Sequence, residues 1–586
     1  MPDGARPPFI PAMSVQQAHA LLCQPGTPFE MELRTIDGVE MRVWKNAPPS
    51  LAALFEMGRA WGELPYLVLD DERVSYRAHA NAAATLAHAL RDRFGVAKGD
   101  RVGIAMRNLP EFVCAFWAIH LLGAVAMPLN AWWTAQELEY GLADSGARVL
   151  IADGERLERL LTLDHAGGRF AALPDLAHLI VARASGPLPD GIMRLEDLIG
   201  GPNAWGKLAQ TASPAAEIGP EDLATLFYTS GTTGKPKGAF GTQRNCLTNI
   251  FNMMLGQARA FLRRGEAPPA QDPTTPRKAV LLAVPLFHVT ASHSLVVPAM
   301  ASGVKIVMMR RWDATRGLEL IQQERINTFG GVPAIAWQVL EHPDLARYDT
   351  SSVESVSYGG APSAPELVRR IVEAFPKVQP GQGYGLTETS AVVSSNGAED
   401  YELRPWSCGP AAPVNDVRVV DPEGRDVPAG EVGELWVRGP NVVKGYWNKP
   451  EATQAAFGDG WFKTGDLVRM DEDGFLTIVD RAKDMIIRGG ENVYCVEVES
   501  ALYEHPDVND AAVIGIPHKV LGEEVGAVVA VRAGSDATEA ALQAWVRERL
   551  ASFKVPVRID IRTEPLPRNA NGKILKRDLR AVFAPG

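Results

Sequence analysis

The residues best suited to chemistry lie in one loop, residues 228–239, which reads YTSGTTGKPKGA. The loop combines hydroxyl side chains, glycines that let a ligand approach the backbone, and two lysines. Backbone amides in such a loop form a nest for anions, and lysine cations neutralise phosphate charge. The loop therefore predicts a polyphosphate site, carried by a buried strand at 223–227. Its candidate ligands are Thr229, Ser230, Gly231, Thr232, Thr233, Gly234, Lys235 and Lys237.

This loop is not a Walker A motif. In that motif a Ser or Thr follows the Gly-Lys pair and its hydroxyl binds Mg²⁺. Here Pro236 follows Lys235, and proline cannot open a phosphate-binding helix in the same way. The sequence therefore disfavours a kinase or P-loop NTPase. A solvated linker is the other interpretation, but linkers seldom follow a buried strand.

Three further strings carry groups suited to the same ligand. In QGYGLTETS (382–390), Tyr384 presents a flat ring between glycines, and Glu388 is the kind of single carboxylate that Mg²⁺ takes beside phosphates. In KTGDL (463–467), Asp466 could accept two ribose hydroxyls, although Gly-Asp alone also indicates a turn. In PRNANGKILKR (567–577), Lys573 follows a turn, and it could equally be a surface lysine of a basic tail.

In this order along the chain, the strings resemble the motifs of the adenylate-forming (AMP-binding) superfamily, over residues 50–580. The likeness is to its acyl-CoA synthetase branch, the fatty-acid–CoA ligases, because that branch keeps strings such as GGENVY at 489–494. The resemblance implies that Tyr384 stacks on adenine, that Asp466 binds the ribose, and that Lys573 bridges the substrate carboxylate and the α-phosphate. It also implies ATP, Mg²⁺ and CoA as the cofactors.

The resemblance assigns roles to further residues. The implied catalytic residues are Lys573, Glu388 and Thr387, and Glu388 is also the implied metal ligand. The implied nucleotide- and CoA-binding residues outside the loop are Gly359, Gly360, Ala361, Tyr384, Gly385, Asp466, Arg481, Gly489 and Gly490. The implied acyl pocket holds His288, Gly331 and Val332, and the implied hinge is Lys483. Two positions depart from the family pattern. The family commonly has glycine where this chain has Ala291, and it usually has a small residue where this chain has Trp406.

The elements that must position these residues alternate between strand-like runs and helical periods from about residue 50 to 480, which predicts parallel α/β sheets. Residues 31–44 predict a β-hairpin that turns at Asp37-Gly38. Residues 112–127 predict a buried helix followed by a strand. A helix is predicted over 365–375 with Ser363 as its N-cap. Further strands are predicted at 101–105, 149–152, 178–181, 279–284 and 305–309.

We therefore expect an α/β protein with several units. Residues 1–49 form an N-terminal extension with the hairpin. Residues 50–480 form a large adenylation domain of two parallel-type sheets, with a small β-subdomain at about 400–480. Residues 481–485 are the hinge, and residues 486–586 form a small, mobile α+β lid domain.

Composition limits the partners. The chain has 586 residues and a formal net charge of −11, which argues against non-specific nucleic-acid binding. Five scattered cysteines without zinc spacing suggest the reducing cytoplasm. No apolar run reaches the length of a transmembrane span, although peripheral membrane contact stays open. The resemblance implies a homodimer.

The predicted function is an ATP-dependent acyl-CoA synthetase that converts a medium- or long-chain fatty acid to acyl-AMP and then to acyl-CoA. Three alternatives remain at this stage. The enzyme could load a carrier protein instead of CoA, since both acceptors end in pantetheine. It could act on an aryl or short-chain acid. A non-catalytic nucleotide-binding protein is disfavoured, because Glu388, Asp466 and Lys573 are all present.

Overall fold

A computed structural model describes residues 9–163, 170–229, 235–269, 277–361, 363–570 and 572–583. The strands in chain order are β1 Met31–Ile36, β2 Val39–Trp44, β3 Pro65–Leu69, β4 Glu72–Ser75, β5 Arg101–Ala105, β6 Val125–Pro128, β7 Val149–Asp153, β8 His178–Ala182, β9 Ile192–Arg194, β10 Leu223–Thr229, β11 Lys237–Thr242, β12 Ala279–Leu282, β13 Lys305–Met308, β14 Thr328–Gly331, β15 Ser355–Gly359, β16 Gln379–Leu386, β17 Ala391–Gly397, β18 Gly409–Pro410, β19 Asp416–Val420, β20 Gly433–Arg438, β21 Phe462–Met470, β22 Phe475–Arg481, β23 Ile486–Arg488, β24 Glu491–Val493, β25 Val508–His518, β26 Gly522–Val531 and β27 Arg558–Arg562.

The α-helices in chain order are α1 Val15–Leu22, α2 Leu51–Gly58, α3 Tyr76–Asp92, α4 Pro110–Leu121, α5 Ala135–Ser145, α6 Gly154–Leu160, α7 Glu196–Ile199, α8 Gln243–Arg263, α9 Val289–Ala291, α10 Val297–Ser302, α11 Ala314–Glu324, α12 Pro333–Leu340, α13 Pro365–Ala374, α14 Ala398–Leu403, α15 Pro450–Ala456, α16 Cys495–Tyr503, α17 Glu539–Arg547 and α18 Lys576–Leu579. A π-helical turn, Ser292–Val296, joins α9 to α10.

The first sheet has seven strands in the order β11-β10-β6-β5-β7-β8-β9. All of its pairs are parallel except β10–β11, a hairpin whose tip is the predicted phosphate loop. Helix α4 is buried along its whole length and is followed by β6, as the sequence predicted. A polypeptide that alternates strands and helices in this way places the carboxyl ends of its parallel strands at one edge.

The second sheet has eight strands in the order β17-β16-β15-β14-β12-β13-β3-β4. Its inner strands are parallel, and the pairs β16–β17 and β3–β4 at its two ends are antiparallel. One face carries apolar residues such as Phe329, Val356 and Tyr358, which pack beneath α11, α12 and α13. The two sheets confirm the predicted fold class of the large unit.

Two smaller sheets follow. An antiparallel sheet of order β18-β22-β21-β20-β19 forms the predicted β-subdomain. The C-terminal sheet runs β24-β23-β26-β25, and β27 pairs with β26 in parallel. Its buried residues form separate clusters with α16 and α17 on one face and with Leu579 and Phe583 on the other. The C-terminal unit is therefore α+β, as predicted.

The N-terminal hairpin is present, with Ile36 opposite Val39 and the turn residues Asp37 and Gly38 at φ 49° and 81°. One local prediction was wrong. The N-cap of α13 is Ala364, not Ser363, because Pro365 already occupies the first helical position and the Ser363 hydroxyl donates to the Ala364 carbonyl. Across the ranges given above, a helix with the length and apolarity of a membrane span is absent.

Candidate active site

Three of the predicted site residues lie at the carboxyl ends of neighbouring parallel strands. Strands β14, β15 and β16 are neighbours and parallel, so Gly331, Gly359 and Gly385 reach one edge of the second sheet. At Gly385 a side chain is impossible, because an added Cβ would lie 1.4 Å from the Ala391 carbonyl oxygen. These small residues allow the strands to end close to a ligand.

The phosphate loop is described at its two ends. Thr229 lies opposite Lys237 in the β10–β11 register. The Lys235 ammonium lies 4.8 Å from the ring centre of Tyr140, and the Lys237 ammonium lies 4.9 Å from that of Tyr446. Ring faces attract cations, so these two rings restrain the lysine ammonium groups at the two ends of the loop. The predicted ligands Ser230, Gly231, Thr232, Thr233 and Gly234 lie outside the described residues.

Tyr446 connects the loop to the candidate metal ligand. Its hydroxyl donates to Glu388 Oε1 at 2.7 Å, while its ring lies beneath Lys237. The Val443 amide also donates to the Glu388 carbonyl. Sequence reasoning missed Tyr446, which lies in a segment assigned only to the small β-subdomain. Thr387 begins the short 3-10 helix that carries Glu388.

The candidate ribose ligand, Asp466, is buried between two partners. The Tyr384 hydroxyl donates to its Oδ2 at 2.7 Å, and Arg481 Nε lies 2.5 Å from its Oδ1. Asp466 and Arg481 are direct partners in the β21–β22 register, which is why the ion pair forms. Burial and the neighbouring Asp466 carboxylate raise the pKa of Tyr384 well above its usual value, so the phenol stays protonated.

Lys573 lies at the same place, although it belongs to the C-terminal unit. It is held in a turn by reciprocal bonds with Asn569, and Gly572 beside it lies against Val332 at the end of β14. Burial, and then the neighbouring Arg481 charge, lower the pKa of Lys573 to about 8. The structure therefore brings Lys573, Asp466 and the strand ends together.

Contacts between the large and C-terminal units hold this arrangement. The Trp337 ring on α12 stacks on Tyr503 at 6.4 Å, and Arg532 pairs with Glu341 at 3.3 Å. The glycines predicted to bind CoA lie elsewhere. Gly489 contacts Leu521, in the turn between β25 and β26 of the C-terminal sheet, and a side chain at Gly490 would meet open space. The structure thus brings Lys573 to the site, and not Gly489 and Gly490.

Lys483 lies between β22 and β23, where the chain passes from the β-subdomain to the C-terminal sheet. Burial and Arg481 lower its pKa. Gly360, which has φ 73°, and the half-buried Ala361 directly follow the end of β15 at the site edge.

His288 and its neighbours form the candidate acyl side. The His288 Nε2 atom is buried without a hydrogen-bond partner in the described structure, and burial lowers its pKa to about 3, so the ring is neutral. Gly331 has φ 119° and packs against Val284, which lies between the end of β12 and His288. Ala291 is buried, whereas Trp406 is 56% exposed and faces solvent.

A cluster of buried asparagines supports the Glu388 segment, and sequence reasoning missed it. Ser390 and Ala391 follow with φ 50° and 100°, a costly backbone for residues with a Cβ. Asn249 accepts from the Val392 amide at 2.9 Å, and Asn252 donates to the Val392 carbonyl at 3.0 Å. Asparagines on a helix carry no sequence signal for such contacts, so only the fold reveals them.

Two family models match this chain. The family model described as "AMP-binding enzyme" matches residues 54–447, and the model of its C-terminal domain matches residues 497–573. The chain therefore belongs to the AMP-binding enzyme family. Within that family it is an acid–thiol ligase of the acyl-CoA synthetase type.

The curated relatives include a feruloyl-CoA synthase of Amycolatopsis sp, 36% identical over 87% of this chain and 94% of its own. A long-chain-fatty-acid–CoA ligase of Mycobacterium tuberculosis, FadD13, is 35% identical over 88% and 94%. Among solved structures, the anthranilate CoA ligase AuaEII with anthranoyl-AMP has a TM-score of 0.78 and 27% identity, covering 91% of this chain and 97% of that one. ATP-bound MatB from Rhodopseudomonas palustris has a TM-score of 0.76 and 29% identity, covering 91% and 99%.

Proposed function

We propose that this enzyme is an ATP-dependent acyl-CoA synthetase for medium- or long-chain fatty acids. The substrate carboxylate attacks the α-phosphate of ATP, which gives acyl-AMP and pyrophosphate. The CoA thiol then attacks the acyl carbon, loses its proton, and releases AMP. The observation that supports this most is the meeting of Lys573 with the Asp466–Tyr384 pair at the strand ends.

In the first step Lys573 offsets a charge problem. A carboxylate approaching a phosphate is an anion approaching an anion, and two such charges about 4 Å apart repel by about 4 kcal/mol at an effective dielectric constant near 20. An ammonium between them removes much of this barrier and stabilises the transition state. In the proposed mechanism Lys235 and Lys237 hold the departing β- and γ-phosphates, and the ring faces of Tyr140 and Tyr446 support their ammonium groups.

A single carboxylate beside a phosphate loop suits Mg²⁺, which completes its coordination with phosphate oxygens and water. Within the described parts of the chain, no three His, Cys, Asp or Glu side chains come together as a preformed metal site. Glu388, oriented by Tyr446, would hold the ion, whose charge would neutralise the phosphates. The ion would thus arrive with ATP.

For the second step we propose rotation of the C-terminal unit about Lys483. This motion withdraws Lys573 and breaks the Trp337–Tyr503 and Arg532–Glu341 contacts. It brings the turn at Gly489–Gly490 to the strand ends, where it guides pantetheine. One site can then serve two reactions while water is excluded.

The proposed acid follows from a floor of small residues on the second sheet. Residues in register on neighbouring strands share a face, and the face opposite the α11–α13 core carries almost no bulk. Ser357 is exposed although β15 is an interior strand, so no element covers this face there. Helix α8 borders the floor, with Gly256 against Ser395. The glycine–serine floor consists of Gly330, Ser357, Gly359, Gly381, Gly383 and Ser395.

The length of the floor favours an extended chain. From Gly359 at the site edge to Ser355, four residues of strand span about 13 Å. A zigzag hydrocarbon with bonds of about 1.5 Å advances about 1.25 Å per carbon, so the floor accommodates about ten carbons. The floor residues carry no charge, which suits an alkyl chain better than a second carboxylate.

The proposal is tested by measuring pyrophosphate release with two sets of acids. The first set is unbranched acids from butanoic to hexadecanoic acid, and the second is hydroxycinnamic acids. We expect the long acids to give the highest kcat/KM. Ser357→Phe should abolish the preference for long acids and keep activity with butanoic acid. The control Ser357→Ala, whose side chain is close in size to the native serine, should keep the wild-type profile. If hydroxycinnamic acids are preferred and Ser357→Phe changes nothing, the fatty-acid assignment is wrong.

An aromatic acid is the second candidate, favoured by the feruloyl-CoA synthase relative. The acceptor is tested separately by comparing free CoA with a phosphopantetheinyl carrier protein. Transfer to the carrier alone would replace the CoA ligase assignment by carrier loading.

A further inference from the structure

The turn that carries Lys573 is supported by a second basic side chain, Arg568. Arg568 lies on one side of the turn, and an isolated antiparallel bridge pairs it with Ile574 on the other side. Its guanidinium reaches across the turn, and Nη1 donates to the carbonyl oxygen of Gly572. That carbonyl belongs to the peptide that joins Gly572 to Lys573. Arg568 therefore acts on the backbone from which the Lys573 side chain extends.

A buried carboxylate fixes the orientation of Arg568. The Arg568 Nη2 atom donates to Asp510 Oδ2 at 2.6 Å, and Asp510 is 8% exposed. The other Asp510 oxygen accepts from the Tyr503 hydroxyl at 2.6 Å and from the Ala511 amide at 3.1 Å. Because both of its oxygens are engaged, the carboxylate cannot turn freely. The rigid guanidinium fork joins this fixed carboxylate to the Gly572 carbonyl.

The same series of contacts ends on the large unit. The ring of Tyr503 stacks on Trp337 of α12, with 6.4 Å between the ring centres and 9° between the ring planes. Burial and the Asp510 carboxylate raise the pKa of Tyr503 well above its usual value, so the hydroxyl stays protonated and donates to that carboxylate. Trp337, Tyr503, Asp510 and Arg568 thus connect the surface of α12 to the lysine turn.

The turn closes through its own hydrogen bonds. The Lys573 amide donates to the Asn569 side-chain oxygen at 3.0 Å, and the Gly572 amide donates to the Asn569 carbonyl at 2.9 Å. These bonds fix the shape of the turn. The pair formed by Arg568 and Asp510 fixes its position on the C-terminal sheet, because Asp510 belongs to β25. A change at Arg568 therefore moves the turn and leaves its internal bonds in place.

The position of the turn is tightly set at the site. Gly572 lies against Val332, which directly follows β14, and a Cβ added to Gly572 would come within 2.9 Å of the Val332 Cγ2 atom. A displacement of about 1 Å, even one that begins far from the chemistry, can lower a reaction rate about a hundredfold. A lysine that must reach two anions at once therefore needs support from behind its turn.

We propose that Arg568 is a positioning residue for the adenylation step, and this inference rests on the proposed function. Arg568 holds the peptide between Gly572 and Lys573 so that the Lys573 ammonium reaches both the substrate carboxylate and the α-phosphate. Asp510 keeps Arg568 in place. Arg568 acts through Lys573 and not on the reacting atoms. Because Lys573 withdraws before the thioester step, Arg568 serves the first half-reaction alone.

Arg568→Ala should lower kcat for acid-dependent ATP–pyrophosphate exchange about tenfold to a hundredfold, the loss expected for hydrogen bonds of a charged group. The KM for ATP should stay at the wild-type value, because Tyr384 and Asp466 belong to the large unit. Thioester formation should also keep its wild-type rate when it starts from supplied acyl-AMP, made from the acid that gives the fastest exchange. The matched control is Arg577→Ala, since Arg577 is 84% exposed and pairs with the adjacent Asp578.

Two milder variants separate positioning from a general structural role. Arg568→Lys keeps the charge without the planar fork and should recover part of the exchange rate. Asp510→Asn keeps the size of the side chain and removes its charge, so it should weaken exchange and spare the thioester step. Equal losses in exchange and thioester formation, a raised KM for ATP with unchanged kcat, or a wild-type exchange rate in Arg568→Ala would each overturn the inference. Absence of exchange in the wild-type enzyme would instead refute the proposed function.

Discussion

The charge of Lys573 should give the adenylation step an alkaline limit. Burial and Arg481 lower the pKa of this lysine to about 8, and only the ammonium can offset the repulsion between carboxylate and phosphate. With a pKa of about 8, about nine-tenths of the molecules carry the proton at pH 7 and about one-tenth at pH 9. The adenylation kcat/KM, which reports the free enzyme, should therefore fall about tenfold as pH rises through this interval.

The assay is ATP–pyrophosphate exchange without CoA, so that the CoA thiol cannot contribute to the profile. Lys573→Arg keeps a charge at every pH, and although its rate should be lower, the limb near pH 8 should disappear. Lys377→Arg, at an exposed position, should keep the wild-type profile. A wild-type profile that stays flat to pH 9.5, or a limb that persists unchanged in Lys573→Arg, would refute the assignment of Lys573.

Four further outcomes are expected. Lys483→Pro should slow thioester formation from supplied acyl-AMP and spare pyrophosphate exchange; equal loss in both assays would exclude a hinge there. Tyr446→Phe removes the hydrogen bond to Glu388, and the adenylation kcat/KM should fall roughly tenfold while thioester formation is kept; an unaltered kcat/KM would contradict this. Asn249→Ala leaves the Val392 amide and the His293 carbonyl unpaired and should lower the free energy of unfolding by about 2–5 kcal/mol in denaturant titrations. Burial lowers the pKa of His120 from 6.5 to about 3, so the unfolded chain binds more protons between these values, and stability should fall below pH 6.5 by up to about 1.4 kcal/mol per pH unit. His120→Leu should make that decline shallower, and an identical slope would show that the group does not titrate on unfolding.

The sequence predicted those parts of the fold that depend on local pattern. Strand β5 and helix α4 follow from apolar periodicity, and the β1–β2 hairpin follows from Asp37-Gly38, whose residues accept positive φ. The exception at Ser363 is also local: the helix begins at residue 365 as predicted, so its N-cap is the residue directly before Pro365, Ala364, and not Ser363.

The site was predictable only where its residues stand in short strings. Asp466 and Arg481 are 15 residues apart and lie on adjacent antiparallel strands, β21 and β22, which pair them in register. Each could therefore be proposed as a site residue from its own short motif. Tyr446 and Asn249 reach the Glu388 segment from distant elements. Such contacts depend on how sheets and helices pack, and that information is not present in any one segment.

The N-terminal extension lies outside the region that the family model matches, which begins at residue 54. Even so, the Trp44 indole donates to Asn252 at 3.0 Å, and its ring stacks on Phe251 of α8 at 6.0 Å. A recombinant protein trimmed to the family boundary would expose this aromatic face and deprive Asn252 of a partner. Exposed apolar patches promote self-association. Such a protein should therefore be poorly soluble, although it would keep every residue proposed to bind the nucleotide. The boundary of the conserved family is thus not the boundary of the physical domain.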